Sequence, residues 1–225
     1  MNVPVDKTGA ATTGDGSGDF FDRARTRLRF DIPAGLTDAG VAPSTGDQDR
    51  DFMLQEIARD EPMRAAAVLI PVVARDQPTV LLTRRAAHLS DHANEIAFPG
   101  GKIDAADASP VDAALREAWE EVGLPQDFVE PIGYLDLYGT SVGFRILPTV
   151  ARVRPGFDLR LNAGEVEEAF EVPLSFLMNP DNHKQGWKLS RGRMRSFYEM
   201  PFEERYIWGA TAGILRVLYE RVYLK

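Results

Sequence analysis

The stretch FPGGKIDAADASPVDAALREAWEEVGL, residues 98–124, decides the fold of this chain. Its second half predicts a helix from about Pro110 to Val122. Ser109 can cap this helix, Pro110 suits its first position, and Gly123 supplies a left-handed stop after it. Apolar residues recur along it at helical spacing and give it one face to bury: Val111, Ala114, Leu115, Ala118 and Val122.

Three carboxylates, Glu117, Glu120 and Glu121, lie within one turn of this helix and project from the same side. Charges this close repel one another unless a cation neutralises them, and hard oxygen ligands suit Mg²⁺ or Mn²⁺. A solvated acidic helix face is the alternative. The Gly100-Gly101 turn ahead of the helix brings bare backbone close to it, which favours a site for a cation and a phosphate.

The same residues resemble the Nudix box, whose pattern is G-x5-E-x7-R-E-U-x-E-E-x-G-U with U aliphatic. Residues 116–124, REAWEEVGL, match its second half position by position. The first half departs from the pattern. Five residues separate Gly101 from Asp107, which stands in place of Glu. Eight residues rather than seven then separate Asp107 from Arg116.

This resemblance implies a fold and a reaction class. The fold would be the Nudix fold, an α/β (mixed α+β) domain built as an α-β-α sandwich with a mixed central sheet. The reaction would be hydrolysis of a nucleoside diphosphate linked to another group, with water attacking a pyrophosphate phosphorus. The cofactor would be Mg²⁺ or Mn²⁺.

The resemblance also assigns roles to residues of the helix and the glycine turn. Glu117 and Glu121 would bind the metal. Glu120 would be a further ligand or the base that takes the proton of the attacking water. The backbone carbonyl of Gly100 would also meet a metal. Arg116 would pair with one of these carboxylates, or with Asp107, and orient it.

Residues 81–101, LLTRRAAHLSDHANEIAFPGG, resemble the second signature of the coenzyme A pyrophosphatase branch, roughly L-L-T-x-R-S-x3-R-x3-G-x3-F-P-G-G. Three positions depart from that pattern, with Ala86, Ser90 and Asn94 in place of Ser, Arg and Gly. Asn tolerates a positive φ better than most residues, so the last exchange is structurally mild. Further likeness downstream extends the resemblance to about residues 64–223.

The branch implies cleavage of coenzyme A or its derivatives into 4′-phosphopantetheine, or its acyl form, and adenosine 3′,5′-bisphosphate. Arg84, Arg85 and His92 are the candidate substrate-binding residues. Glu165 is the preferred extra metal ligand from a later loop, with Glu168 close behind, although an ordinary exposed acidic stretch explains both equally well. Two alternatives stay open: a Nudix enzyme acting on another nucleoside diphosphate derivative, and a Nudix module that binds a nucleotide without hydrolysis.

The remaining elements follow from apolar runs and turn residues. Helical character is predicted for residues 51–58 and for a closing helix at 206–223. Residues 1–50 are predicted as a flexible tail and loop outside a domain spanning 51–225, with a short docking element at 20–30 whose arginines form a solvated face. Strands are predicted at 64–73, 79–85, 96–98, 129–137, 144–153 and 166–174, and a hairpin is predicted around 191–194.

Composition restricts the partners. The 225 residues contain 26 Lys and Arg against 34 Asp and Glu, a net charge of −8, which argues against binding nucleic acid or an anionic membrane. The absence of Cys excludes disulfides and thiolate metal sites. No apolar run approaches the roughly 18 residues of a membrane span. We therefore expect a soluble cytoplasmic protein with a small pyrophosphate substrate, and a homodimer stays open.

The negative charge is mostly local. Residues 98–130 contain eight carboxylates and two cations, a net charge of −6. Residues 182–225 contain nine Lys or Arg and four Glu, a net charge of +5. This division suits an acidic metal site and a highly phosphorylated substrate, provided that folding brings the two regions together.

Overall fold

A computed structural model describes residues 17–38, 41–46, 63–190 and 192–224. The helices in these residues are α1 (Ser17–Arg27), α2 (Pro110–Val122), α3 (Leu174–Leu177) and α4 (Gly209–Tyr219), and α4 continues into a π-helical turn at Glu220–Leu224. The strands are β1 (Thr45–Gly46), β2 (Arg64–Val73), β3 (Thr79–Arg85), β4 (Ile96–Ala97), β5 (Gly100–Lys102), β6 (Val129–Tyr134), β7 (Tyr138–Gly139), β8 (Phe144–Val153), β9 (Val166–Pro173), β10 (Lys184–Ser190), β11 (Arg193–Phe202) and β12 (Arg205–Trp208).

The strands form two sheets. The larger sheet has nine strands in the order β1-β7-β8-β2-β3-β4, with β5 added to β2, β6 to β8 and β9 to β3. Within it β2 runs parallel to β8 and antiparallel to β3, so the central sheet is mixed, as predicted. The smaller sheet, β10-β11-β12, is antiparallel.

Apolar cores lie on both faces of the larger sheet. One core packs α2 against the sheet through residues such as Ala114, Ala118 and Leu81. The core on the opposite face joins the sheet to α1 and α4 and includes Leu82 and Leu215. Because successive strand residues face opposite sides, Leu81 and Leu82 are assigned to different cores. The predicted α-β-α sandwich is confirmed.

The end signals of α2 are confirmed in detail. Ser109 Oγ accepts a hydrogen bond from the backbone N–H of Asp112, and Pro110 is the first helical residue. Gly123 ends the helix in the left-handed conformation, at φ 66°. The predicted hairpin is confirmed by the antiparallel pairing of β10 with β11, and the strands at 64–73, 79–85 and 144–153 are confirmed as well.

The closing helix was predicted too long. Residues 205–208 form strand β12, which pairs with β11, and the helix begins at Gly209. Tyr206, Ile207 and Trp208 are the aromatic and β-branched residues that suit a strand. Gly209 has φ 62°, a conformation that glycine adopts without strain, and there the chain turns from strand into helix.

Part of the predicted N-terminal tail and loop packs as an ordered helix. Phe20, Phe21 and Ala24 of α1, and Leu28 directly after it, are buried in the core shared with α4. The arginines of the predicted docking element form specific contacts, since Arg25 pairs with Glu130, and Arg27, Arg29 and Arg23 also have polar partners. The predicted helical turn at 51–58 lies outside the described residues. No helix in the described part of the chain is long and apolar enough to cross a membrane.

A buried arginine ties the N-terminal segment to the sheet. The side chain of Arg145 on β8 is almost fully buried, and its Nη1 donates to the carbonyl oxygens of Gly35 at 2.6 Å and Val41 at 2.9 Å, as well as to that of Asp38. Burial lowers the pKa of this guanidinium. The loop between α1 and β1 is therefore held by charge-assisted hydrogen bonds.

Replacing Arg145 with Met should lower the free energy of unfolding by about 3 kcal/mol, because buried carbonyls lose a charged donor and nothing replaces it. Urea unfolding of the two proteins measures this difference. The free energy of unfolding of Arg145→Lys, which keeps a cation, should lie between those of the unaltered protein and Arg145→Met. A change below about 0.5 kcal/mol for Arg145→Met would show that the loop does not depend on this contact.

Candidate active site

Helix α2 and strand β5 bring two carboxylates together with a glycine turn. Glu121 is only 4% exposed, and its Oε2 accepts a hydrogen bond from the backbone N–H of Gly100 at 3.2 Å. Glu117 lies one turn earlier with a side chain that is 16% exposed. A Cβ atom placed on Gly101 would lie 2.6 Å from Glu117 Oε1. Backbone and carboxylates therefore meet at a distance that only glycine permits.

Gly100 is required for a different reason. Its φ is +153°, and a Cβ atom there would lie 2.5 Å from the backbone oxygen of Ala67 and 2.6 Å from Cα of Val68. These two residues belong to β2, with which β5 pairs. A side chain at Gly100 would thus collide with backbone that cannot move aside.

Burial makes the two carboxylates reluctant to ionise. It raises the pKa of Glu121 to about 8, with smaller upward contributions from the charges of Glu117 and Glu165; the Gly100 N–H and the positive charge of Arg85 act in the opposite direction. Burial is also the main cause of the raised pKa of Glu117. Two close, buried carboxylates therefore lack a sufficient counter-charge from the protein itself.

This imbalance predicts how stability varies with pH. A folded-state pKa raised from about 4.5 to about 8 means that stability is fully present at low pH and is lost as the pH rises through that window. In EDTA, the free energy of unfolding should therefore fall by a few kcal/mol between pH 5 and pH 8, since one pKa unit corresponds to about 1.4 kcal/mol. Glu121→Gln should lack this decline.

Denaturant titrations of both proteins across this pH range provide the measurement. Subtracting the Glu121→Gln values removes the contributions of other titrating groups. If the free energy of unfolding fell equally steeply with pH in the two proteins, residue 121 would not carry an unneutralised carboxylate.

Arg116 joins three carboxylates of the site. Its Nε and Nη2 bind the two oxygens of Asp107 at 2.9 and 3.0 Å, and its Nη1 donates to Glu117 at 3.0 Å and to Glu120 at 3.1 Å. The hydrogen bond from Arg116 lowers the pKa of Asp107, and the Asp107 bond raises the pKa of Arg116. Arg116 thereby fixes where Glu117 and Glu120 lie.

Asp107 takes part despite its departure from the box pattern. Its shorter side chain reaches Arg116 through both oxygens and is 6% exposed. The backbone N–H of Asp104 donates to Asp107 Oδ2 at 2.8 Å and holds it in place. The additional loop residue and the exchange of Glu for Asp therefore leave the pairing with Arg116 intact.

The donor set fits a hard divalent cation. Glu117 and Glu121 offer carboxylate oxygens in a buried setting that disfavours their negative charge, which a Mg²⁺ or Mn²⁺ ion would relieve. Glu120 is half-exposed and lies against Arg116. Within the described residues, no group of three carboxylate or imidazole side chains is already arranged around a single point for an ion. Glu120 would have to leave Arg116 to become a ligand.

Of the two candidates in the later loop, Glu165 lies with the helix carboxylates. Its charge contributes to the raised pKa of both Glu117 and Glu121. Its Oε1 accepts a hydrogen bond from Nδ2 of Asn162 at 3.1 Å. Glu168 instead forms an ion pair with Arg205 of β12. Neither Asn162 nor Arg205 was predicted from the sequence.

The structure separates the two neighbouring candidate arginines. Arg85 lies close enough to Glu121 for its charge to lower the pKa of that residue. Arg84 follows Leu82 on the opposite face of the sheet and contacts Glu168 at 3.4 Å and Glu167 at 3.6 Å. A bulge in the pairing of β3 with β9 lies between the two arginines. Arg84 therefore does not join the carboxylates.

His92 lies in the loop before β4 rather than on a structural element. Its ring is exposed, and Nδ1 lies 2.7 Å from Oε2 of Glu95. Both His92 and Asn94 have positive φ, 57° and 62°. The conformation of Asn94 explains why Asn can stand where the signature has Gly.

Comparison with known proteins agrees with this geometry. A NUDIX domain family model matches residues 63–192. Proteins of Salmonella paratyphi B and Salmonella newport, both named as the uncharacterized Nudix hydrolase NudL, are 43% identical to the chain over 162 residues, which is 72% of this chain and 84% of theirs.

Solved structures are more distant. The NUDIX domain of Shewanella oneidensis NrtR in complex with ADP ribose is 16% identical, with a TM-score of 0.45, covering 76% of this chain and 98% of that one. The Ap4A hydrolase of C. elegans is 20% identical, with a TM-score of 0.40, covering 48% and 80%. Likeness at this level says nothing about the substrate. The family model and the NudL relatives are decisive, and the chain belongs to the Nudix family of pyrophosphohydrolases.

Proposed function

We propose that this protein hydrolyses the pyrophosphate bond of coenzyme A or its derivatives. The products are 4′-phosphopantetheine, or its acyl form, and adenosine 3′,5′-bisphosphate. The observation that carries the proposal is the signature at residues 81–101, in which Leu81-Leu82-Thr83, Arg85 and the Phe98-Pro99-Gly100-Gly101 turn agree with the coenzyme A pyrophosphatase branch. Two structural facts support it: Arg85 lies near Glu121, and Asn94 has the positive φ that a glycine would adopt.

In the proposed mechanism, the residues of α2 have distinct tasks. Glu117, Glu121, Glu165 and the Gly100 carbonyl would hold the divalent cation that Nudix hydrolases generally use. When bound, Mg²⁺ or Mn²⁺ would offset charge on the pyrophosphate oxygens and lower the pKa of water. Glu120 accepts the proton of the attacking water on a carboxylate oxygen.

Arg116 positions the carboxylates in this scheme. Its Nη1 donates to both Glu117 and Glu120, so the two side chains keep a fixed separation. Asp107 holds the same guanidinium by accepting a hydrogen bond from its Nε. The pyrophosphate would lie between the carboxylates and Arg85, whose cation is then available to a phosphate of the substrate.

A second candidate function keeps the chemistry and changes the substrate to another nucleoside diphosphate derivative. Two observations favour it. Ala86 and Ser90 depart from the branch signature, and Arg84 is engaged by Glu167 and Glu168 rather than turned toward the carboxylates. A non-catalytic module is a weaker candidate, because all three helix carboxylates are retained.

The two neighbouring arginines give a matched test of substrate binding. Arg85→Ala should raise KM for coenzyme A by about tenfold or more, because it removes a cation beside the site. Arg84→Ala should change KM by less than about twofold. Steady-state kinetics on coenzyme A and dephospho-coenzyme A measure both effects. Equal KM changes for the two variants would contradict the placement of substrate beside Arg85.

Relative rates identify the substrate class. Purified protein with Mg²⁺ would be given coenzyme A, an acyl-coenzyme A, ADP ribose and Ap4A, and kcat/KM would be compared. The highest value should be for coenzyme A or the acyl-coenzyme A. A higher value for ADP ribose or Ap4A would favour the second candidate, and no turnover with either Mg²⁺ or Mn²⁺ would favour the binding module.

A further inference from the structure

The smaller sheet ends in a two-stranded ribbon. Strand β10 pairs with β11 from Lys184 to Ser190, whereas β12 pairs only with residues 199–202 of β11. Residues 185–190 and 192–198 therefore extend beyond the third strand, and we call the segment 184–198 the ribbon. Two-stranded ribbons are only marginally stable on their own, so exposed apolar residues on one have to be explained by more than folding.

One side of the ribbon is apolar and exposed. Trp187, Leu189 and Met194 are 63%, 66% and 60% exposed. Leu189 lies opposite Met194 in the register, and Trp187 is two residues before Leu189, so all three share one side. On β11 this side continues to Met200, which is fully buried. The side of the smaller sheet that packs in the core at Met200 is therefore exposed to solvent along the ribbon.

The ribbon is also basic, although the chain as a whole is acidic. Residues 184–198 contain five Lys or Arg and no Asp or Glu, whereas the whole chain has a net charge of −8. Lys188 lies opposite Arg195, and strand alternation places both on the side away from Trp187. The ammonium of Lys188 lies 5.2 Å from the ring centre of Trp208. Apolar and cationic residues therefore lie on opposite sides of the ribbon.

We propose that the ribbon binds an anionic phospholipid surface, with Trp187, Leu189 and Met194 entering the headgroup region. Tryptophan is enriched at membrane interfaces, where an apolar ring and a polar N–H both find partners. When the end of the ribbon enters the headgroup region, the lysine and arginine on its other side also meet the anionic headgroups, to which they are attracted. The charge complementarity to an anionic membrane is confined to the ribbon, and the net negative charge of the whole chain does not reveal it.

Other occupants fit these observations less well. A second copy of the chain across a two-fold axis would bring two ribbons of like charge together. The apolar chain of a substrate is a weaker fit, because the apolar side of the ribbon continues to Met200, which belongs to the core on the sheet face opposite α2. A fluid bilayer accepts a projecting ribbon end without a preformed groove.

Co-sedimentation with vesicles tests the proposal. The full chain would be mixed with vesicles of phosphatidylcholine alone or with about one-third phosphatidylglycerol. Binding to the anionic vesicles should be at least about tenfold stronger and should weaken at high salt. The double variant Trp187→Ser, Leu189→Ser and the variant Lys188→Glu should each lose most of it. Phe30→Ser, which removes an apolar side chain that is 72% exposed elsewhere, should not.

Trp187 also supplies a direct readout. Its fluorescence should shift to shorter wavelength on addition of anionic vesicles, and Trp187→Phe should keep binding while losing most of the shift. Thermal unfolding would establish that each variant is folded. Equal binding to both vesicle types, or unchanged binding by the folded ribbon variants, would overturn the proposal. A concentration-dependent dimer abolished by the same variants would overturn it in favour of a second copy.

Discussion

Replacing Glu121 with Gln should reduce kcat/KM for the pyrophosphate substrate by about 10³-fold while making the metal-free protein more stable at pH 8. The activity falls because a buried carboxylate that fits a divalent cation loses its charge. The stability rises because the charged form of Glu121 is disfavoured by burial, with a pKa raised to about 8. Kinetics in Mg²⁺ and urea unfolding in EDTA measure the two quantities.

The opposite signs make this prediction specific. A residue needed only for folding would lose stability and activity together. Glu130→Gln on β6 is a matched control, since Glu130 is exposed and pairs with Arg25 away from the carboxylates. A folded Glu121→Gln protein with full metal-dependent turnover would show that the site has been assigned to the wrong helix face.

Substitutions in the glycine turn should separate stability from activity. Gly100→Ala should lower the free energy of unfolding by about 3 kcal/mol or more, because its Cβ atom would meet backbone atoms of Ala67 and Val68 within 2.6 Å. Gly101→Ala should leave the fold nearly intact, because its Cβ atom meets only the flexible end of Glu117. It should instead lower kcat by about 10²-fold, since the carboxylate is displaced.

Thermal unfolding and kinetics of the two proteins provide the comparison. Gly143→Ala is a suitable reference for backbone strain alone, because Gly143 has a positive φ of 84° but no neighbour within 4 Å of a Cβ atom. If Gly101→Ala proved as unstable as Gly100→Ala, the approach of Glu117 to the turn would not be a separate feature of the site.

Local signals explain which elements could be predicted from the sequence. The bounds of α2 were correct because its cap, its first-turn proline and its terminal glycine are neighbours in the chain. Strand β12 was missed because the strand preference of Tyr206 and Ile207 is weak and depends on context, and pairing with β11 decides their conformation. Likewise, the burial of Phe20 depends on contacts with distant residues.

The site shows the same division. The spacing of Glu117 and Glu121 along one helix was sufficient to place them together. Alternation along β3 places Arg84 and Arg85 on opposite faces of the sheet. Which of the two lies with the carboxylates was not predictable, because it depends on the face of the sheet against which α2 packs. Asp107 was one of the partners expected for Arg116, but the sequence left open whether Arg116 pairs with Asp107 or with a helix carboxylate, and in the structure it binds both kinds.

The most direct test of the central claim is the mass of the products formed from coenzyme A by the purified protein, with Mg²⁺ and with EDTA. We expect 4′-phosphopantetheine and adenosine 3′,5′-bisphosphate in Mg²⁺ and no cleavage in EDTA. Intact coenzyme A under conditions in which the same protein cleaves another pyrophosphate would contradict it.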